Sequence, residues 1–132
     1  MTDTETLIDE SILFSVPAMR NRASGLLPRM ISLLHSEAES GLEAMGAAAA
    51  ASDAGALREA AHRLKSASGA LGAMRLHALA RDIENAARGG YASFDEADRQ
   101  EVEQVLQATF DALEKLSAAL PSGTNASTCR AD

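Results

Sequence analysis

His62 and the residues that follow it are the part of this sequence best suited to chemistry. Lys65 lies three positions after the histidine, and two small residues, Ser66 and Gly69, lie four and seven positions after it. In a helix these spacings bring side chains onto one face. Lys65 and Arg58, about one turn on either side, then offer positive charge to an anion carried on, or delivered to, the imidazole ring.

A helical projection places His62 on the solvent side of its helix. With Leu57 at zero and about 100° per residue, His62 falls at about 140°. The residues within roughly 60° of Leu57 face inward, and they are Leu64, Ser68, Ala61, Leu71 and Ala60. The residues around the histidine are Lys65 at about 80°, Arg58 at about 100°, Gly69 at about 120° and Ser66 at about 180°. The sequence therefore predicts an exposed imidazole with basic and small neighbours.

Gly69 and Ser66 have no evident folding role at exposed positions. Alanine is frequent in this chain and is the better helix former, by about 1 kcal/mol relative to glycine. A flat patch beyond an exposed imidazole lets the loops of another protein approach the ring, which a large side chain would block. The small residues are therefore predicted to belong to a docking face.

The charges of the chain are segregated along its length. Residues 56–88 carry six basic and three acidic groups, whereas the segments before and after each carry three basic and eight acidic groups. The net charge of −7 argues against nucleic acid or an anionic membrane as a partner. His62 thus lies in a short basic stretch of an acidic protein.

Residues 60–84, AAHRLKSASGALGAMRLHALARDIE, resemble the signature of histidine-containing phosphotransfer (HPt) domains. The matching positions are His62, Leu64, Lys65, Ser66, Gly69, Gly72, Leu76 and Glu84. Ser66 departs from the glycine that is commoner there, but it remains a small residue. A looser resemblance extends over residues 24–118 and includes the helix start at Asp53.

The resemblance implies a four-helix bundle whose exposed histidine accepts and donates a phosphoryl group. It implies His62 as the acceptor and donor, and Lys65 as the compensation for the charge of that group. The residues assigned to the docking face are Arg58, Arg63, Ser66, Gly69 and Gly72. The implied partners are response-regulator receiver domains and a sensor histidine kinase. Mg²⁺ is expected on the receiver domain, and this chain is expected to need no cofactor or metal of its own.

The chemistry of the residues agrees with this implication. An imidazole with an ordinary pKa of about 6.5 is largely neutral near pH 7, so a ring nitrogen can attack phosphorus without a separate base. Phosphoryl transfer depends on positioning and charge compensation, and a unit charge pair about 4 Å apart gains about 1 kcal/mol in water. The sequence has neither a GxxxxGK[ST] nor a GxGxxG motif. It therefore predicts a phosphoryl carrier without kinase activity of its own.

The hydrophobic pattern predicts five helices and an all-α fold. They run from about Thr4 to Phe14, Ser24 to Ala51, Asp53 to Leu71, Ala73 to Arg88, and Ser93 to Leu120. Capping boxes are predicted at Thr2 and Glu5 and at Ser93 and Glu96. Apolar stripes on the four longer helices predict an antiparallel up-down four-helix bundle, with the short N-terminal helix covering one end.

The length of 132 residues suits one domain, which is predicted over residues 1–120. The polar segment 121–132 is predicted to be a disordered tail. Its Asn125-Ala126-Ser127 sequon is not expected to be used, because the acidic N-terminus is unlike a signal peptide. Cys129 has no second cysteine to pair with, and no apolar run approaches the ~18 residues of a membrane span. The chain is expected to be a soluble, cytoplasmic monomer.

A metal-binding bundle is one alternative. Glu59 and His62 form one Glu-x-x-His pair, which is the spacing used by di-iron bundles. Such sites need a second pair, and neither His35 nor His77 has a glutamate three positions before it. These two histidines are expected at helix surfaces or edges and are assigned no role.

Two further alternatives concern function. Asp82 and Glu84 are residue types that can act as a general acid and base. Side chains two positions apart on a helix face different ways, so both are expected to be solvated. A scaffold or inhibitor that docks on a two-component kinase or receiver would share the fold and the basic patch. The intact pair of His62 and Lys65 favours phosphoryl carriage over this docking-only function.

Overall fold

The computed structural model describes residues 6–121, and its regular structure is entirely helical. The α-helices are α1 (Glu10–Leu13), α2 (Leu26–Ala50), α3 (Ala54–Ala70), α4 (Met74–Arg88) and α5 (Glu96–Ala118). Two short 3-10 turns, Pro17–Arg20 and Arg22–Ser24, lie between α1 and α2. The described residues contain no strand, which confirms the all-α prediction for this part of the chain.

The four longer helices form a four-helix bundle. The helix α3 packs against α2 and α4, and α5 also packs against both of them. Residues 51–53 join α2 to α3, and residues 71–73 join α3 to α4. Packed helices joined by connections this short run antiparallel. The bundle predicted from the helix pattern is therefore confirmed.

The apolar stripes of the helices meet in one core. The predicted stripe of α2 is buried throughout, at Leu27, Ile31, Leu34, Ala38, Leu42 and Met45. The predicted stripe of α3 is also buried, at Leu57, Ala60, Ala61, Leu64, Ser68 and Leu71. Partial burial is found at Leu79, Ile83, Leu116 and Leu120. Because burying one leucine contributes about 2 kcal/mol, these stripes determine which face of α3 stays at the surface.

The start of α5 differs from the prediction. The capping box is formed by Asp95 and Asp98 and not by Ser93 and Glu96. Asp95 Oδ1 accepts the Asp98 N–H at 2.9 Å, and Asp98 Oδ2 accepts the Asp95 N–H at 3.1 Å. Phe94 is buried immediately before the cap, so the chain enters the core at this residue before it can turn into the helix.

The predicted helix from Thr4 to Phe14 is wrong over most of its described part, because only α1 is helical. Asp9 caps α1, and the residues before it are held by the connection between α3 and α4. The Asp9 N–H donates to the Gly72 carbonyl at 2.7 Å, and the Met74 N–H donates to the Leu7 carbonyl at 3.0 Å. These tertiary hydrogen bonds take up main-chain groups that a longer helix would need for its own ladder.

Gly72 is buried where the N-terminal segment crosses the bundle. Its φ is 71°, in the left-handed region that favours glycine, and a Cβ there would lie 2.5 Å from the Asp9 carbonyl oxygen. On α1 the buried residue is Leu13, while the neighbouring Ile12 is exposed. Gly72 therefore packs against the N-terminal segment. It does not lie on the predicted docking face.

Some predictions concern residues outside the described range. They are the capping box at Thr2 and Glu5, the tail beyond Pro121 with its Asn125-Ala126-Ser127 sequon, and Cys129. Within residues 6–121, no helix combines the length and the apolar character needed to cross a bilayer.

Candidate functional site

His62 lies on the exposed face of α3, as the helical projection predicts. The core-facing residues Leu57, Ala61 and Leu64 turn the other side of this helix toward solvent. The His62 side chain keeps 55% of its surface accessible. The imidazole is therefore open to a second molecule.

Glu84 of α4 holds one nitrogen of this imidazole. Glu84 Oε2 lies 2.9 Å from His62 Nδ1, and the glutamate side chain is only 2% exposed. A carboxylate only accepts hydrogen bonds, so Nδ1 carries the proton and donates it. The lone pair of the neutral ring is then on Nε2. The contact with Glu84 makes Nε2 the nucleophilic atom of His62.

Two cations surround the same carboxylate. Lys65 Nζ lies 2.7 Å from Glu84 Oε1 in an ion pair. Arg88 Nη2 lies 3.2 Å from Oε2. The Lys65 ammonium lowers the pKa of Glu84, and the His62 contact lowers it further, against the opposite effect of burial. Glu84 therefore stays ionised at neutral pH although it is buried.

Lys65 contacts Glu84, which the sequence does not predict. The spacing predicts that Lys65 faces a group carried on His62, whereas its ammonium contacts Glu84 and its side chain is 25% exposed. In this arrangement Lys65 acts on the imidazole through the carboxylate. Direct compensation of the charge on a transferred group stays a prediction.

Glu84 matches the family signature, but its role at the site is not evident from the sequence, and the prediction of a solvated side chain is wrong because this side chain is buried. At about 100° per residue, Glu84 lies about 40° from Ala80 and about 60° from Ala87 around α4, and both alanines are buried. A carboxylate at the edge of an apolar stripe is a signal of burial, and a buried charge needs a partner. The partner, His62, is on another helix, which spacing within α4 does not reveal.

Three of the predicted docking residues, Arg58, Arg63 and Ser66, are exposed on the side of α3 that carries His62. Arg63 Nη2 lies 3.8 Å from Glu37 Oε1, and both side chains are well exposed. An exposed pair of this kind contributes little, so the guanidinium remains available to a partner. The exposed side of α3 that carries His62 therefore holds two arginines and one small residue.

Gly69 has a packing role that the sequence does not predict. A Cβ at this position would lie 3.0 Å from His77 Nδ1 and 3.3 Å from His77 Cε1. His77 Nδ1 in turn donates to the Lys65 carbonyl oxygen at 3.0 Å. Gly69 is half-buried at the edge of the face that carries His62. Its small size leaves room for the His77 ring, whether or not a partner also uses it.

His35 stacks on Phe110 with ring centroids 3.9 Å apart. Glu59 and His62 are not joined by a third ligand: among residues 6–121, no group of three or more His, Cys, Asp or Glu side chains is placed to hold an ion.

The ionised state of Glu84 predicts a loss of stability in acid. Its pKa in the folded protein is below the ordinary value, which is about 4.3. Its contribution to the free energy of unfolding is therefore complete above that value and is lost as the pH falls through the lower folded pKa. Melting temperatures measured across this window should fall more steeply for the wild type than for Glu84→Gln. Parallel curves would contradict the assignment.

The fold and the site together define an antiparallel helical bundle that presents an exposed histidine, His62, backed by a buried carboxylate. The family model for the Hpt domain matches residues 29–119, which span most of the bundle. The chain belongs to the Hpt domain family. This family acts in histidine phosphotransfer within phosphorelays, together with receiver domains and histidine kinases, and its members are carriers and not kinases. Comparisons with curated proteins and with solved structures gave no match.

Proposed function

We propose that this chain is a phosphorelay intermediate that carries a phosphoryl group on Nε2 of His62. The group comes from the aspartyl phosphate of a receiver domain or from a kinase, and it passes to the receiver domain of a response regulator. The observation that carries the proposal is the hydrogen bond between exposed His62 and buried, ionised Glu84. This bond fixes the tautomer of the ring and leaves the lone pair of Nε2 for attack.

Transfer onto His62 forms one bond and breaks one bond. The lone pair of Nε2 attacks the phosphorus atom of the aspartyl phosphate, and the bond between nitrogen and phosphorus forms. The bond between phosphorus and the aspartate oxygen breaks, and the aspartate carboxylate leaves with the bonding electrons. The proton on Nδ1 stays in its hydrogen bond to Glu84 throughout. The reverse sequence passes the group to the second receiver.

The charges around Glu84 support this step. The imidazole becomes positively charged as Nε2 bonds to phosphorus, and the carboxylate 2.9 Å from Nδ1 stabilises that charge. A preorganised charge aimed at the atom where charge develops is an effective source of rate enhancement. Lys65 favours the ionised carboxylate, and both Lys65 and Arg88 contact it and hold it in place. We also expect the Lys65 ammonium to compensate part of the charge on the incoming phosphoryl group.

The surface around His62 is complementary to an acidic phosphorylation pocket. Arg58 and Arg63 are exposed there, and positive charge speeds the approach of an acidic partner. Ser66 leaves space beside the ring for the loops of the receiver. Mg²⁺ is expected in the acidic pocket of the receiver, so this chain contributes only the nucleophile and its electrostatic support. We expect the carrier to act as a monomer in the cytoplasm.

A phosphotransfer profile tests the proposal. The purified chain is incubated with radiolabelled phosphorylated receiver domains from the same cell, and the label is followed with time. Label should move to the chain in an acid-labile, base-stable linkage and then move to a second receiver, whereas ATP alone should give no label. A receiver that binds without transferring label would identify a docking-only protein. Absence of transfer from every receiver and kinase would contradict phosphoryl carriage.

A further inference from the structure

We propose that His77 of α4 is a positioning residue for the transfer reaction. Its ring ties α4 to the main chain of α3 and thereby holds Glu84 opposite His62. The inference rests on the proposed function, because it concerns the geometry of the same site.

The contact between His77 and α3 is a hydrogen bond from a side chain to the main chain. His77 Nδ1 lies 3.0 Å from the Lys65 carbonyl oxygen, and a carbonyl oxygen only accepts, so Nδ1 donates. The Lys65 side chain meanwhile reaches Glu84, with Nζ 2.7 Å from Oε1. Lys65 is therefore connected to α4 at two points, through its main chain to His77 and through its ammonium to Glu84.

His77 and Glu84 lie on the same side of α4. They are two turns apart and differ by only about 20° around the helix. His77 is the nearer of the two to residues 71–73, which connect α3 to α4. A link at His77 thus sets the register between the two helices near their connection. Glu84 lies further along the same side of α4, and this register places it opposite His62.

Gly69 makes this link possible. A Cβ at position 69 would lie 3.0 Å from His77 Nδ1, which is the donor atom of the hydrogen bond, and 3.3 Å from Cε1. A Cβ there would crowd the imidazole, so glycine lets the ring approach the main chain of α3 this closely. Glycine is a poor helix former, so its presence within α3 is explained by the ring that it accommodates.

The first test compares two substitutions at position 77. With His77→Ala we expect phosphoryl acceptance to become about tenfold slower, because Glu84 is no longer held in register, while the affinity for the receiver stays unchanged. With His77→Asn we expect most of the rate to return, because the asparagine amide nitrogen can donate to the Lys65 carbonyl in place of Nδ1. His35→Ala, a histidine substitution on α2, serves as the matched control and should keep the wild-type rate.

The second test measures the His62 tautomer in the unphosphorylated protein. At about pH 9, where a histidine ring is neutral, nitrogen NMR of the wild type should show the proton of His62 on Nδ1. In His77→Ala a fraction of His62 should change to the Nε2-protonated form, and His77→Asn should resemble the wild type. A general loss of packing would not produce this selective rescue.

The third test asks whether Gly69 is small because of His77. In the His77→Ala background, Gly69→Ala should raise the melting temperature by about 3 °C, because alanine is the better helix former. In the presence of His77 the same substitution should lower the melting temperature or leave it unchanged, because the new Cβ displaces the ring. Equal shifts in the two backgrounds would overturn the proposal.

An unchanged His62 tautomer in His77→Ala would also overturn it. The nitrogen spectra and melting curves need no phosphoryl transfer, so they decide the role of His77 even where transfer fails. Failure of the wild type to accept a phosphoryl group would instead contradict the proposed function.

Discussion

Replacing His62 by glutamine is expected to abolish phosphoryl acceptance. Glutamine is polar and is a good helix former, so the exposed position should tolerate it with a change in stability of about 0.5 kcal/mol or less. Its amide has no nucleophilic lone pair, and the chain cannot form the bond between nitrogen and phosphorus. Label from a phosphorylated receiver should fall at least about a hundredfold, to background, while circular dichroism shows an unchanged helical fold.

His35→Gln is the matched control for this result. His35 is an exposed histidine on α2 whose ring stacks on Phe110, and nothing in the proposed mechanism uses it. This variant should accept label as the wild type does. Labelling of His62→Gln at the wild-type rate, or its loss in His35→Gln, would show that the acceptor is elsewhere in the chain.

The second large effect is expected from Glu84→Gln. The amide oxygen of glutamine can still accept the hydrogen bond from Nδ1, so the ring keeps its tautomer. The negative charge that stabilises the positive imidazole is removed, and a single preorganised electrostatic contact is worth about 100-fold in rate. Single-turnover transfer from a phosphorylated receiver should therefore slow by roughly 10- to 100-fold, with receiver binding little changed.

Asp82→Asn is the control for charge removal on the same helix. Asp82 is exposed and lies 3.7 Å from Arg81, so its loss removes one negative charge from α4 without touching His62. This variant should transfer at the wild-type rate. Equal rates for the Glu84 variant and the wild type would mean that the buried carboxylate has only a structural role.

The bundle and the exposure of His62 were predictable from the sequence because both depend on periodicity within single helices. The stripe from Leu27 to Met45 on α2 and the stripe around Leu57 on α3 are buried as the spacing predicts. Once the inward side of α3 is fixed by these apolar residues, the outward direction of His62 follows from helix geometry. The family signature lies in the same stretch of sequence.

The contacts of His62 with Glu84 and of Gly69 with His77 were not predictable, because each joins two different helices. Glu84 is twenty-two positions from His62, and its burial depends on how α4 packs against α3. The same is true of Gly69, whose size depends on the ring of His77. A pattern read along one helix shows which residues face outward, but it does not show which side chain of a neighbour meets them.

The N-terminal segment was mispredicted for a related reason. Its local sequence is compatible with a helix from Thr4, but hydrogen bonds from Asp9 to Gly72 and from Met74 to Leu7 hold part of it in another conformation. These partners lie more than sixty positions away along the chain. Tertiary hydrogen bonds here override local helix propensity.

The atom that carries the phosphoryl group is the most direct test of the account. The chain is labelled with nitrogen-15 at histidine, phosphorylated by a receiver domain, and studied by NMR for coupling between phosphorus and the ring nitrogens. The hydrogen bond from Nδ1 to Glu84 predicts coupling to Nε2 of His62, with the proton still on Nδ1. Coupling to Nδ1 of His62, or to a nitrogen of His35 or His77, would contradict it.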